Sequence, residues 1–101
     1  MKNFIYIYHS DRTTPPPEES LKAWGEWFAT LGEHVVDGGN PTAFGSKAVL
    51  KDGKVSKESD TVVGYSIIKA ADLDEAVALT QNNPLSNAPG CEVRVYELGS
   101  M

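Results

Sequence analysis

Cysteine and histidine are scarce in this chain of 101 residues. It contains one cysteine, Cys91, and two histidines, His9 and His34. A single cysteine cannot close a disulfide within the chain, and no Cys/His spacing resembles a zinc site. We therefore predict neither an internal disulfide nor a bound metal.

Long apolar runs and positive charge are also lacking. The apolar run over 4–8 is too short for a signal peptide or a membrane span, so we expect a cytoplasmic protein. Lysine and arginine number 9 against 14 aspartates and glutamates, which gives a formal net charge of -5. Because each phosphate contact requires a cation, this balance argues against nucleic-acid and anionic-membrane partners. The length allows one domain, over 1–101.

The hydrophobic pattern alternates between the periods of strands and helices. In chain order it predicts a strand over 3–9, a helix over 18–31, a short strand over 34–37, a hairpin about Asp52-Gly53, a strand over 61–69, a helix opened by the capping pair Asp72 and Glu75, and a strand over 92–98. This β-α-β-β-α-β order indicates a ferredoxin-like α+β fold with an antiparallel sheet and a hairpin in its middle.

Apolar stripes on the two helices predict which faces are buried. The stripe of the first helix consists of Leu21, Trp24, Phe28 and Leu31, with Trp27 on its flank. The stripe of the second helix consists of Leu73, Ala76, Val77 and Thr80.

Two of the predicted strands are apolar on both faces. In the first, Phe4, Tyr6 and Tyr8 alternate with Ile5 and Ile7, and the strand over 61–69 shows the same property. Two helices can cover only one face of a four-stranded sheet, so the other face needs a different cover. In so short a chain a second copy is the simplest one, and we predict a homodimer that packs sheet to sheet.

Several segments of the sequence resemble the YCII-related (YciI-like) family. The resemblance rests on Gly64–Ala76 (GYSIIKAADLDEA), on Asn83-Pro84 and on 91–96 (CEVRVY), and it extends over 4–98. The pair Trp24 and Trp27, followed by 37–41 (DGGNP), fits one branch of the family. The resemblance implies a ferredoxin-like subunit that dimerises into an α/β barrel. Related barrels include small monooxygenases and lactone isomerases, and many need no metal or organic cofactor, so we expect none here.

A catalytic pair found in some family members is missing. Those members carry a histidine on the first helix and an aspartate just before the proline that follows the second helix. Here Asn83 precedes Pro84, and the segment 18–31 contains no histidine. The Asp-Gly-Pro-Phe motif of another branch is reduced to Asp52-Gly53-Lys54. The acid–base chemistry of that pair therefore does not carry over.

The remaining candidate site residues are polar or aromatic. His9, Asp11 and Tyr65 are the candidates for catalysis, because an imidazole beside a carboxylate can move a proton near pH 7. Trp27 and Asn83 are the candidates for ligand binding, through stacking and a hydrogen bond. Each also has a structural reading, in which His9 leaves the sheet for solvent and Asn83 simply ends a helix.

Two function classes remain open from the sequence. One is a cofactor-independent acid–base enzyme of the lyase, isomerase or dehydrohalogenase type, acting on a small substrate for which aromatic compounds are candidates. The other is a non-catalytic domain that binds a small ligand or another protein.

Overall fold

The structure, a computed structural model, describes residues 1–11, 18–43, 46–57 and 60–99. Its elements in chain order are β1 (Lys2–Ser10), α1 (Glu18–Leu31), a 3-10 turn (Gly32–His34), β2 (Val35–Asp37), β3 (Val49–Lys51), β4 (Lys54–Ser56), β5 (Val62–Ala70), α2 (Leu73–Ala78) and β6 (Cys91–Glu97). Within these ranges no helix has the length and apolar character needed to cross a membrane.

Four strands form an antiparallel sheet in the order β2-β5-β1-β6. With two helices and the chain order above, this topology is the ferredoxin-like α+β fold, and the predicted fold class is confirmed. Among the described residues, β3 and β4 pair with each other as a separate two-stranded hairpin. Its two-residue turn has positive φ at both Asp52 (52°) and Gly53 (76°), the geometry that favours Asp-Gly between two strands.

The central strand β1 has two different faces, as its alternation predicts. Phe4, Tyr6 and Tyr8 are buried beneath the helices, whereas Ile5 and Ile7 are half-buried on the opposite face. The neighbouring strand β5 alternates in the same way. We call the side of the sheet away from the helices the open face.

The helix α1 is rotated relative to the predicted stripe. Trp27, placed on the flank by the periodicity, is only 2% exposed, whereas Leu21 is exposed. The indole N–H of Trp27 donates to the carbonyl of Leu79 at 3.0 Å, which ties the helix to the segment after α2. This hydrogen bond, which no helical period encodes, holds the Trp27 side chain inward.

The second helix is short, and its buried stripe is narrower than predicted. Of the expected four residues Ala76 is fully buried, and its carbonyl accepts a hydrogen bond from the Tyr6 hydroxyl. Leu73 and Val77 are 48% and 50% exposed instead. The predicted cap is confirmed, because the Asp72 carboxylate accepts the Glu75 N–H at 2.9 Å.

Candidate functional site

A cavity of about 410 Å³ lies between α1, the loop over 38–42 and the adjoining ends of β1 and β5. Its walls are mainly aromatic and aliphatic. The Trp24 ring meets Tyr8 edge-on at a centroid distance of 4.7 Å and lies 6.0 Å from Phe28. The edge-on contact between Trp24 and Tyr8 is a geometry that aromatic pairs favour. The cavity therefore has a wall of packed aromatic rings.

The loop wall of the cavity depends on two glycines that let it lie directly on β5. Gly39 has φ +77°, and a Cβ there would overlap the carbonyl oxygen of Tyr65. A Cβ on Gly64 would lie 3.1 Å from the Asn40 carbonyl oxygen and 3.3 Å from Pro41 Cα. Side chains at these positions would push loop and strand apart, so the glycines allow the close approach.

A directed chain of hydroxyl groups joins the strands to this loop. The Tyr8 hydroxyl donates to Ser66 Oγ at 2.8 Å, and Ser66 Oγ donates to the Gly38 carbonyl at 2.7 Å. A carbonyl can only accept, so the direction of both bonds is fixed. The hydroxyl hydrogen of Tyr8 is thus engaged, and its oxygen can act only as an acceptor toward further groups.

Burial changes the acidity of the tyrosines on this side of the sheet. It raises the pKa of Tyr8 far above its usual range, and the neighbouring Ser66 and Asn83 side chains offset this only in part. Burial also raises the pKa of Tyr6 to about 12. Because both phenols stay protonated at neutral pH, neither can serve there as a general base.

Asn83 lies behind the cavity wall, not in it. It is 3% exposed, and its Oδ1 accepts the N–H of Leu85, a lining residue, at 2.8 Å. Its Nδ2 is buried and has no hydrogen bond of good geometry within the described part of the chain. The amide nevertheless lies close enough to Tyr8 to lower the pKa of that phenol. Asn83 thus supports two residues of the wall.

The side chains of the three predicted catalytic residues lie outside the cavity, and two of them share the open face. His9 lies on the open face, and its Nδ1 is 2.8 Å from Thr61 Oγ1. Asp11 is exposed beyond the strand end, where its carboxylate packs against Gly90. Tyr65 borders the cavity, yet it pairs with Ile7 in the sheet register, so strand alternation directs its side chain to the open face. The structure therefore brings His9 and Tyr65 to one face, with Thr61, not Asp11, against the imidazole.

The tryptophan that lines the cavity is Trp24, not the predicted ligand-binding residue Trp27. Trp27 belongs to the core and does not border the cavity, whereas Trp24 does. Sequence reasoning treated Trp24 as packing, and it missed Tyr8 and Ser66. The Gly38-Gly39 pair is a usable signal, because two glycines directly after a strand can mark a close approach of backbones.

Comparison with known families gives a match over nearly the whole chain. A family model of the YCII-related domain covers residues 1–98. The chain belongs to the YCII-related family. This confirms the resemblance drawn from the segments around Gly64–Ala76 and Asn83-Pro84. Comparison with curated proteins yields no match.

Membership in the YCII-related family does not supply a catalytic group here. The residue just before Pro84, where the resemblance implies an aspartate in some members, is the buried Asn83, whose amide cannot exchange a proton near neutral pH. In the described ranges no cluster of three or more His, Cys, Asp or Glu side chains is arranged to hold a metal ion.

Proposed function

We propose that the protein binds a small, neutral, aromatic molecule in the cavity beside Trp24. The observation that carries this proposal is the chemistry of the lining. Its described residues include no carboxylate, imidazole, thiol, amine or guanidinium group, and the rings of Tyr8, Trp24 and Phe28 contribute to it. A cavity of this volume is within the range that small-molecule sites occupy.

Neutrality of the ligand follows from desolvation. A charged ligand would lose its hydration on entry, and the described walls offer no opposite charge in exchange. A flat ring instead gains contact with aromatic faces and edges, worth about 0.5–1.5 kcal/mol for each well-placed ring beyond the area buried. The hydroxyl oxygen of Tyr8 can accept one hydrogen bond from the ligand, which would orient it.

Binding is tested by calorimetry and tryptophan fluorescence with matched aromatic compounds. We expect saturable binding of neutral compounds such as phenol or indole, and much weaker binding of benzoate and benzylamine, which have similar size but carry a charge. Trp24→Ala should weaken binding about threefold to tenfold. Leu98→Ala, which changes an exposed residue outside the cavity, is the matched control. Equal binding of charged and neutral compounds, or no effect of Trp24→Ala, would contradict the proposal.

A second candidate function is acid–base catalysis at the open face, which is an alternative to the use of that face as the dimer interface proposed below. It is favoured by the shared position of His9 and Tyr65 and by the Thr61 hydroxyl, which orients the imidazole. A general base of this kind contributes about 10²–10⁴-fold to a rate. Turnover of small lactones, hydroxylated aromatics or halogenated analogues should therefore fall by that factor in His9→Ala. A rate unchanged in His9→Ala would remove the imidazole from the reaction.

We further propose that the protein is a homodimer joined through its open face. Ile5, Ile7 and Ile67 lie there on neighbouring strands, and Tyr96 is exposed beside them. An apolar patch of this kind on a small domain is typical of an interaction site. Equilibrium sedimentation should give about twice the chain mass of 10.9 kDa.

A charge in the open face tests the dimer. Ile67→Lys should yield monomers, because an unpaired charge buried in an apolar interface costs several kcal/mol, on the order of 3–5. Leu98→Lys, outside the patch, should leave the dimer intact. A folded wild-type monomer at micromolar concentration would refute this proposal and leave the cavity proposal untouched.

A further inference from the structure

Hydroxyl groups that border the cavity have their hydrogens engaged elsewhere. Three of them, on Tyr8, Thr42 and Ser66, donate to other groups of the protein. Two of the acceptors, at Gly38 and Val62, are backbone carbonyls, which have no hydrogen to give back. A hydroxyl whose single hydrogen is engaged can only accept a further bond. Toward a bound molecule these three groups are therefore acceptors.

Ser66 decides which way the hydroxyl hydrogen of Tyr8 points. It is fully buried on β5, with its Oγ 2.8 Å from the Tyr8 hydroxyl oxygen and 2.7 Å from the Gly38 carbonyl oxygen. If Ser66 donated to Tyr8 instead, the Gly38 carbonyl would lose this hydrogen bond and the Tyr8 hydrogen would need a different acceptor. The Ser66 hydrogen therefore goes to Gly38, and the Tyr8 hydrogen goes to Ser66.

The phenol oxygen of Tyr8 keeps the capacity to accept a hydrogen bond. The nearby amide of Asn83 is held at its other end, since its Oδ1 accepts the Leu85 N–H at 2.8 Å. Within the described ranges Asn83 Nδ2 makes no hydrogen bond of good geometry, although the amide lowers the pKa of Tyr8. An amide placed this loosely does not saturate the phenol oxygen, which can still accept from a donor in the cavity.

We propose that the cavity selects ligands that donate a hydrogen bond, and that Ser66 is the positioning residue that sets this preference by directing the Tyr8 hydroxyl. The inference rests on the proposed binding of a neutral aromatic molecule, and it narrows that class to rings with an N–H or O–H group, such as indoles and phenols. A ring whose polar atom can only accept would place lone pair against lone pair at the Tyr8 oxygen. Its polar atom would leave water without a new partner, which costs affinity.

Matched pairs of ligands test the preference in the wild-type protein. Phenol is compared with benzonitrile, a ring of similar size that can only accept, and indole with benzofuran, in which an ether oxygen replaces the N–H. We expect calorimetry to give a dissociation constant at least about fivefold lower for the donor of each pair, the effect of one net hydrogen bond. Equal affinities within each pair would overturn this inference and leave the proposed function standing. If no compound binds, the proposed function fails and this inference fails with it.

Ser66→Ala tests the role of the serine. Removal of its oxygen frees the Tyr8 hydrogen, which can then turn to an acceptor in the cavity. We expect benzonitrile to bind more tightly than it binds the wild type, and the preference for phenol to fall to within about twofold. Thr80→Ala, which also removes a hydroxyl bond to a backbone carbonyl but lies outside the cavity, should keep the wild-type preference. If Ser66→Ala only shifts the loop over 38–42, both ligands weaken together, and an unchanged preference would refute the positioning role.

Tyr8→Phe provides a second, independent measurement. It removes the oxygen and its hydrogen together, so phenol should bind about threefold to tenfold more weakly while the affinity for benzonitrile changes by less than about twofold. This pattern differs from that of Ser66→Ala, in which the acceptor ligand gains affinity. Circular dichroism shows whether each variant is folded, and Tyr8→Phe decides the matter if Ser66→Ala is not. An affinity for phenol that is unaffected by Tyr8→Phe would show that the Tyr8 oxygen is not the acceptor and would overturn the proposal.

Discussion

Replacement of Gly39, in the loop wall of the cavity, by alanine allows a quantitative test. The same replacement at Gly38 and Gly32 shows how much of its effect comes from backbone strain and how much from steric overlap. At Gly38 an added Cβ would have no atom within 4 Å and φ is not positive, whereas Gly32 has the same open space but φ +55°. Gly39 has φ +77°, and its Cβ would both overlap the Tyr65 carbonyl oxygen and lie 2.7 Å from the carbonyl carbon. Alanine therefore adds neither strain nor overlap at Gly38, backbone strain alone at Gly32, and both strain and overlap at Gly39.

The expected cost of Gly39→Ala follows from the contacts of the loop. The left-handed backbone costs an alanine about 1 kcal/mol relative to glycine. Relief of the overlap requires the loop to leave β5, which breaks the bond from Ser66 Oγ to the Gly38 carbonyl and the bonds Thr42 N–H to Val63 O and Tyr65 N–H to Asn40 O. At about 1 kcal/mol for each hydrogen bond, the total destabilisation is about 3–4 kcal/mol.

Urea unfolding followed by tryptophan fluorescence measures these costs. We expect a change within about 0.5 kcal/mol for Gly38→Ala, a loss of about 1 kcal/mol for Gly32→Ala, and about 3–4 kcal/mol for Gly39→Ala. Gly39→Ala should also weaken binding of a neutral aromatic compound, because one wall of the cavity is displaced. If Gly39→Ala costs no more than Gly32→Ala, the loop does not depend on the close approach and the reasoning fails.

Two further predictions concern local interactions. Asp72→Ala should lower the free energy of unfolding by about 1 kcal/mol through loss of the helix cap, whereas Asp74→Ala should change it little; equal effects in urea unfolding would argue against the cap. The raised pKa values of Tyr6 and Tyr8 mean that the folded state keeps protons that the unfolded state loses above pH 10. Their stabilisation is complete below pH 10 and should decline by roughly 1 kcal/mol for each tyrosine between pH 9 and pH 11, so the decline measured by unfolding at these two pH values should be smaller in Tyr6→Phe.

The topology could be predicted because its signals are local. Alternation in β1 encodes a strand with two faces, and Asp52-Gly53 encodes a turn that needs positive φ at both positions. The rotation of α1 could not be predicted, because Trp24, Trp27 and Phe28 are all apolar and occupy more of the helix than one buried stripe. The carbonyl of Leu79 decides which tryptophan turns inward, and it is 52 residues away in the sequence.

The lining residues of the cavity could not be predicted from the sequence for a related reason. Tyr8, Trp24, Gly39 and Ser66 come from four separate segments, and only the sheet register and the path of the loop bring them together. A histidine two residues from an aspartate is a recognisable candidate for proton transfer. A tyrosine on the same strand face as core residues, as Tyr8 is, is not recognisable as a cavity residue. Asn83 was a candidate for ligand binding because it precedes Pro84. In the structure it lies behind the cavity wall and does not line the cavity.

The alternation of β1 has a consequence for how this protein can change over generations. Residues 4, 6 and 8 face the helices and residues 5, 7 and 9 the open face, so one strand serves two surfaces through separate sets of positions. Substitutions at one set can alter ligand preference while the other set keeps its contacts. Insertion or deletion of a single residue would exchange the two sets at once. A substitution in this strand therefore acts on one surface, whereas a one-residue change in its length acts on both.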